Sequence, residues 1–154
     1  MAVWRGGLIW AGLALVTVLP ILAATQSPQL QWREPIYIAA SFAGILGMAF
    51  MVLQPLLAGN WLPRFGGLRR RRFHSIAGGL IGIAVLLHVA GLWITSPPDV
   101  IDALLLVSPT PFSLWGVIAF WAVLISALGA YLRTPLRWRV RTWRLLHTVL
   151  VLLI

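Results

Sequence analysis

The sequence predicts an all-α fold, a polytopic transmembrane helical bundle with four full spans and the start of a fifth. Three observations predict it. The 154 residues are 60% hydrophobic and only 10% charged, with a mean hydropathy of +0.93. No soluble core of this size absorbs that much apolar sequence. The apolar residues fall in long runs separated by short connections, and the charges are sorted between alternate connections. Cysteine is absent, which excludes disulfides, thiolate metal sites and cysteine-held iron–sulfur clusters.

Each element follows from its run. The first span, about 6–24, exceeds the 7–15 apolar residues typical of a secretory signal and is read as a retained helix. Pro20 is expected to kink or end it near the far side. The second span covers about 35–58, with Pro55 beside Gln54 suggesting a helix end. The third, about 74–95, opens at His74 after four consecutive arginines, and the fourth covers about 112–132. A fifth begins near 145 and is incomplete at 154, because ten helical residues rise only about 15 Å, half a bilayer. Between the third and fourth spans, prolines bracket a short apolar stretch. It is expected to form a short helix of about 99–107 on the outer surface. The whole of 1–154 reads as a single transmembrane domain.

The net charge of +9 is carried by arginine, with no lysine. Arg64 and Arg69 to Arg72 lie in the second-to-third connection. Arg133, Arg137, Arg139, Arg141 and Arg144 lie in the fourth-to-fifth. With Arg5, eleven of the twelve arginines share one side, while Arg33, Glu34, Asp99 and Asp102 occupy the other. The positive-inside rule makes the N-terminus and both arginine loops cytoplasmic. Membrane lipid is the partner this charge implies, and no nucleic-acid partner is expected. Trp61, Trp138 and Trp143 would mark the inner interface and Trp32, Trp93 and Trp115 the outer, while Trp10 and Trp121 would serve packing within spans.

Only three histidines occur, and each is placed where it can act. His74 and His88 are fourteen positions apart in one span, which separates them by about 21 Å and leaves them within roughly 40° of one another around the helix. His147 opens the fifth span at the depth of His74. A lone histidine at an interface is commonly just an interfacial polar residue. A same-face pair with a third histidine at matching depth points instead to haem ligation. Two imidazoles clamping one iron would be His74 and His147, with His88 set for a second haem. The partial positive charge of a helix N-terminus, expected at His74 and His147, favours the neutral imidazole that binds metal. Arg71, Arg72 and Arg144 are placed to pair with haem propionates. Gly78, one turn after His74, could admit a porphyrin plane or serve helix contact through the Gly78/Gly82 pair, and the packing role is favoured. No Asp, Glu or Arg lies mid-span, so transport coupled through buried carboxylates is not expected.

With these residues in place, the chain resembles the ferric reductase-like transmembrane domain. That family spans ferric reductases, NADPH oxidases and the haem-binding subunit of the methionine sulfoxide reductase system. The likeness rests on Arg71-Arg72-Phe73-His74 through His88 on the third helix and on Trp143-Arg144-Leu145-Leu146-His147 on the fifth. It implies a complete domain of six helices holding one or two b-type haems, with His74, His88 and His147 as the iron ligands. It further implies electrons arriving from a cytoplasmic flavin (FMN or FAD), on a separate segment or flavoprotein subunit, and leaving to an acceptor on the outer face. The partner of His88 would fall near position 160, so this chain would complete the inner haem alone. The setting implied is a bacterial inner membrane, and the chain would be the membrane component of an oxidoreductase. The competing reading is a non-enzymatic membrane subunit or docking module of a larger complex.

Overall fold

The computed structural model describes residues 3–154. They divide into two compact units, one ending at Thr95 and the other covering Ser96–Ile154. The described residues are helical, with no strand. The first unit holds α1 (Val3–Thr25), a single 3-10 turn (Pro28–Leu30), α2 (Pro35–Ala58) and α3 (Gly67–Thr95). The second holds α4 (Pro97–Leu104), α5 (Ser113–Leu132) and α6 (Val140–Leu152). Four of these helices, α1, α2, α3 and α5, are long and apolar enough to cross a membrane. The chain is thus an all-α membrane protein, as its sequence predicts.

Several boundaries differ from the sequence expectation. The third helix begins at Gly67, seven residues before His74, and the sixth at Val140, seven before His147. Apolar runs mark where lipid begins, whereas arginine is a good helix former and extends both helices out of the apolar zone. His74 and His147 therefore each lie about two turns inside a helix. The N-terminal dipole expected to favour their neutral forms acts mainly within the first turn and does not reach them. The short helix is Pro97–Leu104 rather than 99–107. Its two leading prolines occupy the first turn, where a missing N–H costs nothing. Leu106 closes it with a left-handed backbone (φ 61°). Neither Pro20 nor Pro55 ends its helix; both are interior.

The end of α2 shows how a helix terminus is completed near lipid. Asn60 takes the left-handed conformation (φ 59°), which returns the Trp61 N–H to Leu56 O at 3.0 Å and leaves the Gly59 N–H on Pro55 O at 2.8 Å. The two carbonyls that remain, Leu57 O and Ala58 O, accept from Nη1 of Arg70 on α3 at 3.0 and 2.7 Å. The last turn of α2 is satisfied, as a helix end requires.

Packing in the first unit centres on the antiparallel pair α2 and α3. On α3 four of the five buried residues, Ala77, Ile81, Ala84 and Gly91, recur at steps of four, three and seven, the spacing of a heptad seam, and Gly82 beside Ile81 is the fifth. His74 and His88 fall on the same repeat. On α2 the facing positions are Ala40, Gly44 and Gly47. A Cβ built on Gly91 would lie 2.6 Å from Ala40 Cβ, and one on Gly47 would lie 3.6 Å from Ala84 Cβ. Lipid supplies no hydrophobic drive between helices, so close approach at small residues is what holds such a pair. Gly91→Ala is expected to lower stability in detergent by about 1–3 kcal/mol, the usual range for overpacking. Gly79→Ala, whose Cβ would meet nothing within 4 Å, should be neutral or stabilising by up to about 1 kcal/mol. Thermal unfolding followed by helicity measures both, and equal effects would rule out the close crossing.

Candidate functional site

His88 is held by α2. Its Nδ1 lies 2.8 Å from the Ala40 carbonyl oxygen. A carbonyl only accepts, so Nδ1 carries the proton, and in the neutral ring the lone pair then resides on Nε2. The ring reaches that carbonyl across Gly44, where a Cβ would lie 2.9 Å from Nδ1.

His74 lies half-buried further along the same seam. Its backbone carbonyl accepts from Gln54 Nε2 of α2 at 3.3 Å. The same Nε2 would stand 3.4 Å from a Cβ on Gly78, an ordinary contact distance. Gln54 Oε1 is buried and has no hydrogen-bond partner among the described residues.

His147 belongs to the second unit and is held by α5 and by its own helix. Its Nδ1 shares a 2.7 Å hydrogen bond with Ser126 Oγ of α5. Trp143, one turn earlier on α6, stacks on the imidazole with ring centroids 5.1 Å apart and planes 23° from parallel. The sequence suggests an interfacial Trp143; the structure buries it at 8% exposure. Gly129 of α5 admits it, since a Cβ there would lie 2.7 Å from the indole. The four-residue spacing of Trp143 and His147 thus has a physical reason, one turn of helix bringing the rings together.

Arg71, Arg72 and Arg144 are exposed. Arg70, the neighbour that sequence reasoning passed over, is the structural one. Ser126, Gly44 and the Ala40 carbonyl were also missed. The only sequence signal was a single hydroxyl in the middle of an otherwise apolar fourth span.

A bare metal ion would need several ligands from the protein, and among the described residues no group of three or more His, Asp or Glu assembles. A haem would ask the protein for only one or two donor side chains. A neutral imidazole whose Nδ1 is engaged is such a donor. His88 meets this condition, and His147 meets it when Ser126 accepts.

A family model described as "Ferric reductase like transmembrane component" matches residues 43–154. The chain belongs to that family. The match takes in all three histidines and Ser126. No curated protein and no solved structure matches the chain. Membership of the ferric reductase-like family makes the chain an integral membrane redox component.

The Gly44 contact is directly testable. Gly44→Ala should push the His88 imidazole off Ala40 O and cost about 1–3 kcal/mol through overpacking. Loss of the slowly exchanging Nδ1–H of His88 in nitrogen-15 spectra is the measurement. A retained signal would mean that the ring does not depend on the gap at Gly44.

Proposed function

We propose that this ferric reductase-like chain carries electrons across a membrane through b-type haem with paired histidine ligands. His74 and His147 would serve the haem at the arginine-rich side, a pairing that rests on the sequence and the family. His88 would serve a second haem at the opposite side. The observation that supports this reading best is the Nδ1 engagement of His88 by Ala40 O, which fixes the tautomer suited to Nε2 ligation.

When bound, haem would supply a one-electron iron couple, and ligation by two imidazoles would suit relay rather than oxygen binding. The residues of the chain do the rest. His74, His88 and His147 offer neutral nitrogen donors. The exposed guanidinium groups of Arg71, Arg72 and Arg144 suit pairing with propionates. The sorting of arginines supports a cytoplasmic N-terminus and cytoplasmic arginine loops, and the membrane would be a bacterial inner membrane. The donor on that side would be a flavin, FMN or FAD, on a separate flavoprotein domain or subunit. The acceptor would lie at the outer face, and the chain would act as the membrane component of an oxidoreductase.

A reduced-minus-oxidised absorption spectrum of the purified protein, expressed with haem supply, tests the proposal. Low-spin b-type bands are expected in the wild type, and His74→Ala and His147→Ala should each abolish the bands of the inner haem. A wild type without haem bands would overturn it, as would bands unchanged in both variants.

A further inference from the structure

We infer that Ser126 is a positioning residue for His147, anchoring Nδ1 and, with Trp143, setting the ring plane from which His147 would ligate haem iron. The inference rests on the haem reading above only for its last step. Its first step is visible in the chain itself.

Ser126 is the one buried polar side chain among the described residues, at 8% exposure. Hydroxyls inside apolar helices usually turn back to a carbonyl of their own helix, and this chain follows that habit elsewhere. Thr17 donates to Leu13 O at 2.8 Å, Ser41 to Tyr37 O at 2.9 Å, and Thr95 to Gly91 O at 3.0 Å. Ser126 breaks the pattern and reaches across to α6, where it meets His147 Nδ1 at 2.7 Å. Its partner ring is restrained on a second side by the Trp143 stack, itself seated over Gly129. A hydrogen bond at one nitrogen and an aromatic plane on one face leave the imidazole little freedom about its side-chain torsions.

The consequence for ligation follows from the tautomer. Iron bound at Nε2 requires the proton on Nδ1, and Ser126 Oγ is then the acceptor. An acceptor on that N–H raises the electron density of the ring and strengthens it as a donor to the oxidised metal. Removing the acceptor should weaken haem binding by about tenfold, the low end of the range for such outer partners, and should raise the reduction potential of the iron that His147 serves.

The test uses the full chain with nitrogen-15-labelled histidine, first free of haem and then titrated with haem. In the haem-free wild type the His147 Nδ1 signal should carry the shift of a hydrogen-bonded nitrogen, and in Ser126→Ala that shift should be lost. Haem affinity should fall about tenfold in Ser126→Ala, with an upward shift of the midpoint potential. Ser126→Thr, which retains the hydroxyl, should restore all three readouts and so separates positioning from a folding defect. Unchanged Nδ1 shift, affinity and potential in Ser126→Ala would overturn the inference, as would a Ser126→Thr variant that behaves like Ser126→Ala. A wild type that binds no haem, yet loses its Nδ1 hydrogen-bond shift in Ser126→Ala, would leave the positioning role standing and overturn the ligand assignment.

Discussion

The close crossing of α2 and α3 is the constraint on which the first unit depends. Lipid tails are as apolar as leucine side chains, so two membrane helices gain nothing from hiding apolar surface against each other. What they gain is dispersion, and dispersion requires contact. Ala40 and Gly91 supply the closest point, with room for a hydrogen and no more at position 91. Three residues earlier on α3, the same proximity brings the Ala40 carbonyl within 2.8 Å of His88. A larger residue at 91 would separate the backbones and lengthen that bond at the same time. The packing of the pair and the chemistry of His88 are therefore one geometric fact.

The second principle is that polar atoms in a water-poor setting must be placed. The chain meets it with few groups. Arg70 satisfies the two α2 carbonyls that the backbone turn at Asn60 leaves over. Gln54 meets the His74 carbonyl at the cost of a buried Oε1. Ser126 and His147 satisfy each other. Each of these joins two helices of one unit, so satisfying a polar group also fixes the register between helices that apolar contacts alone hold loosely.

This explains which parts of the structure were legible in the sequence. The second helix was read to the residue, 35–58, because Pro35 suits a first turn and Gly59-Asn60 suits a helix end. The starts of α3 and α6 were misplaced by several residues because hydropathy reports immersion in lipid, not helix formation, and arginines are helical on either side of that boundary. Among the candidate ligands, residue type and spacing along the chain were enough to single out His74, His88 and His147. Their partners were not legible. Ser126, Gly44 and the Ala40 carbonyl matter through contacts between helices, and a carbonyl is the same at every position in the sequence. Trp143 was visible in its spacing to His147, but its stack against that ring is a contact that the sequence does not state.

The two hydrogen-bonded histidines are held by different means, and the difference has consequences. Ala40 O can only accept, so His88 is restricted to one tautomer by a backbone group that no single substitution at Ala40 removes. A serine hydroxyl both donates and accepts, so the bond between Ser126 and His147 survives either tautomer and does not by itself choose between them. The choice at His147 must come from whatever engages Nε2. The hydroxyl can then answer by turning its proton away from Nδ1. His147 is thus an imidazole whose orientation is set in advance and whose protonation pattern can adjust to a ligand, whereas His88 has both set by the fold. Orientation at His147 needs its own restraint, because a rotatable hydroxyl defines a ring plane poorly. The stacked, buried indole of Trp143 supplies it.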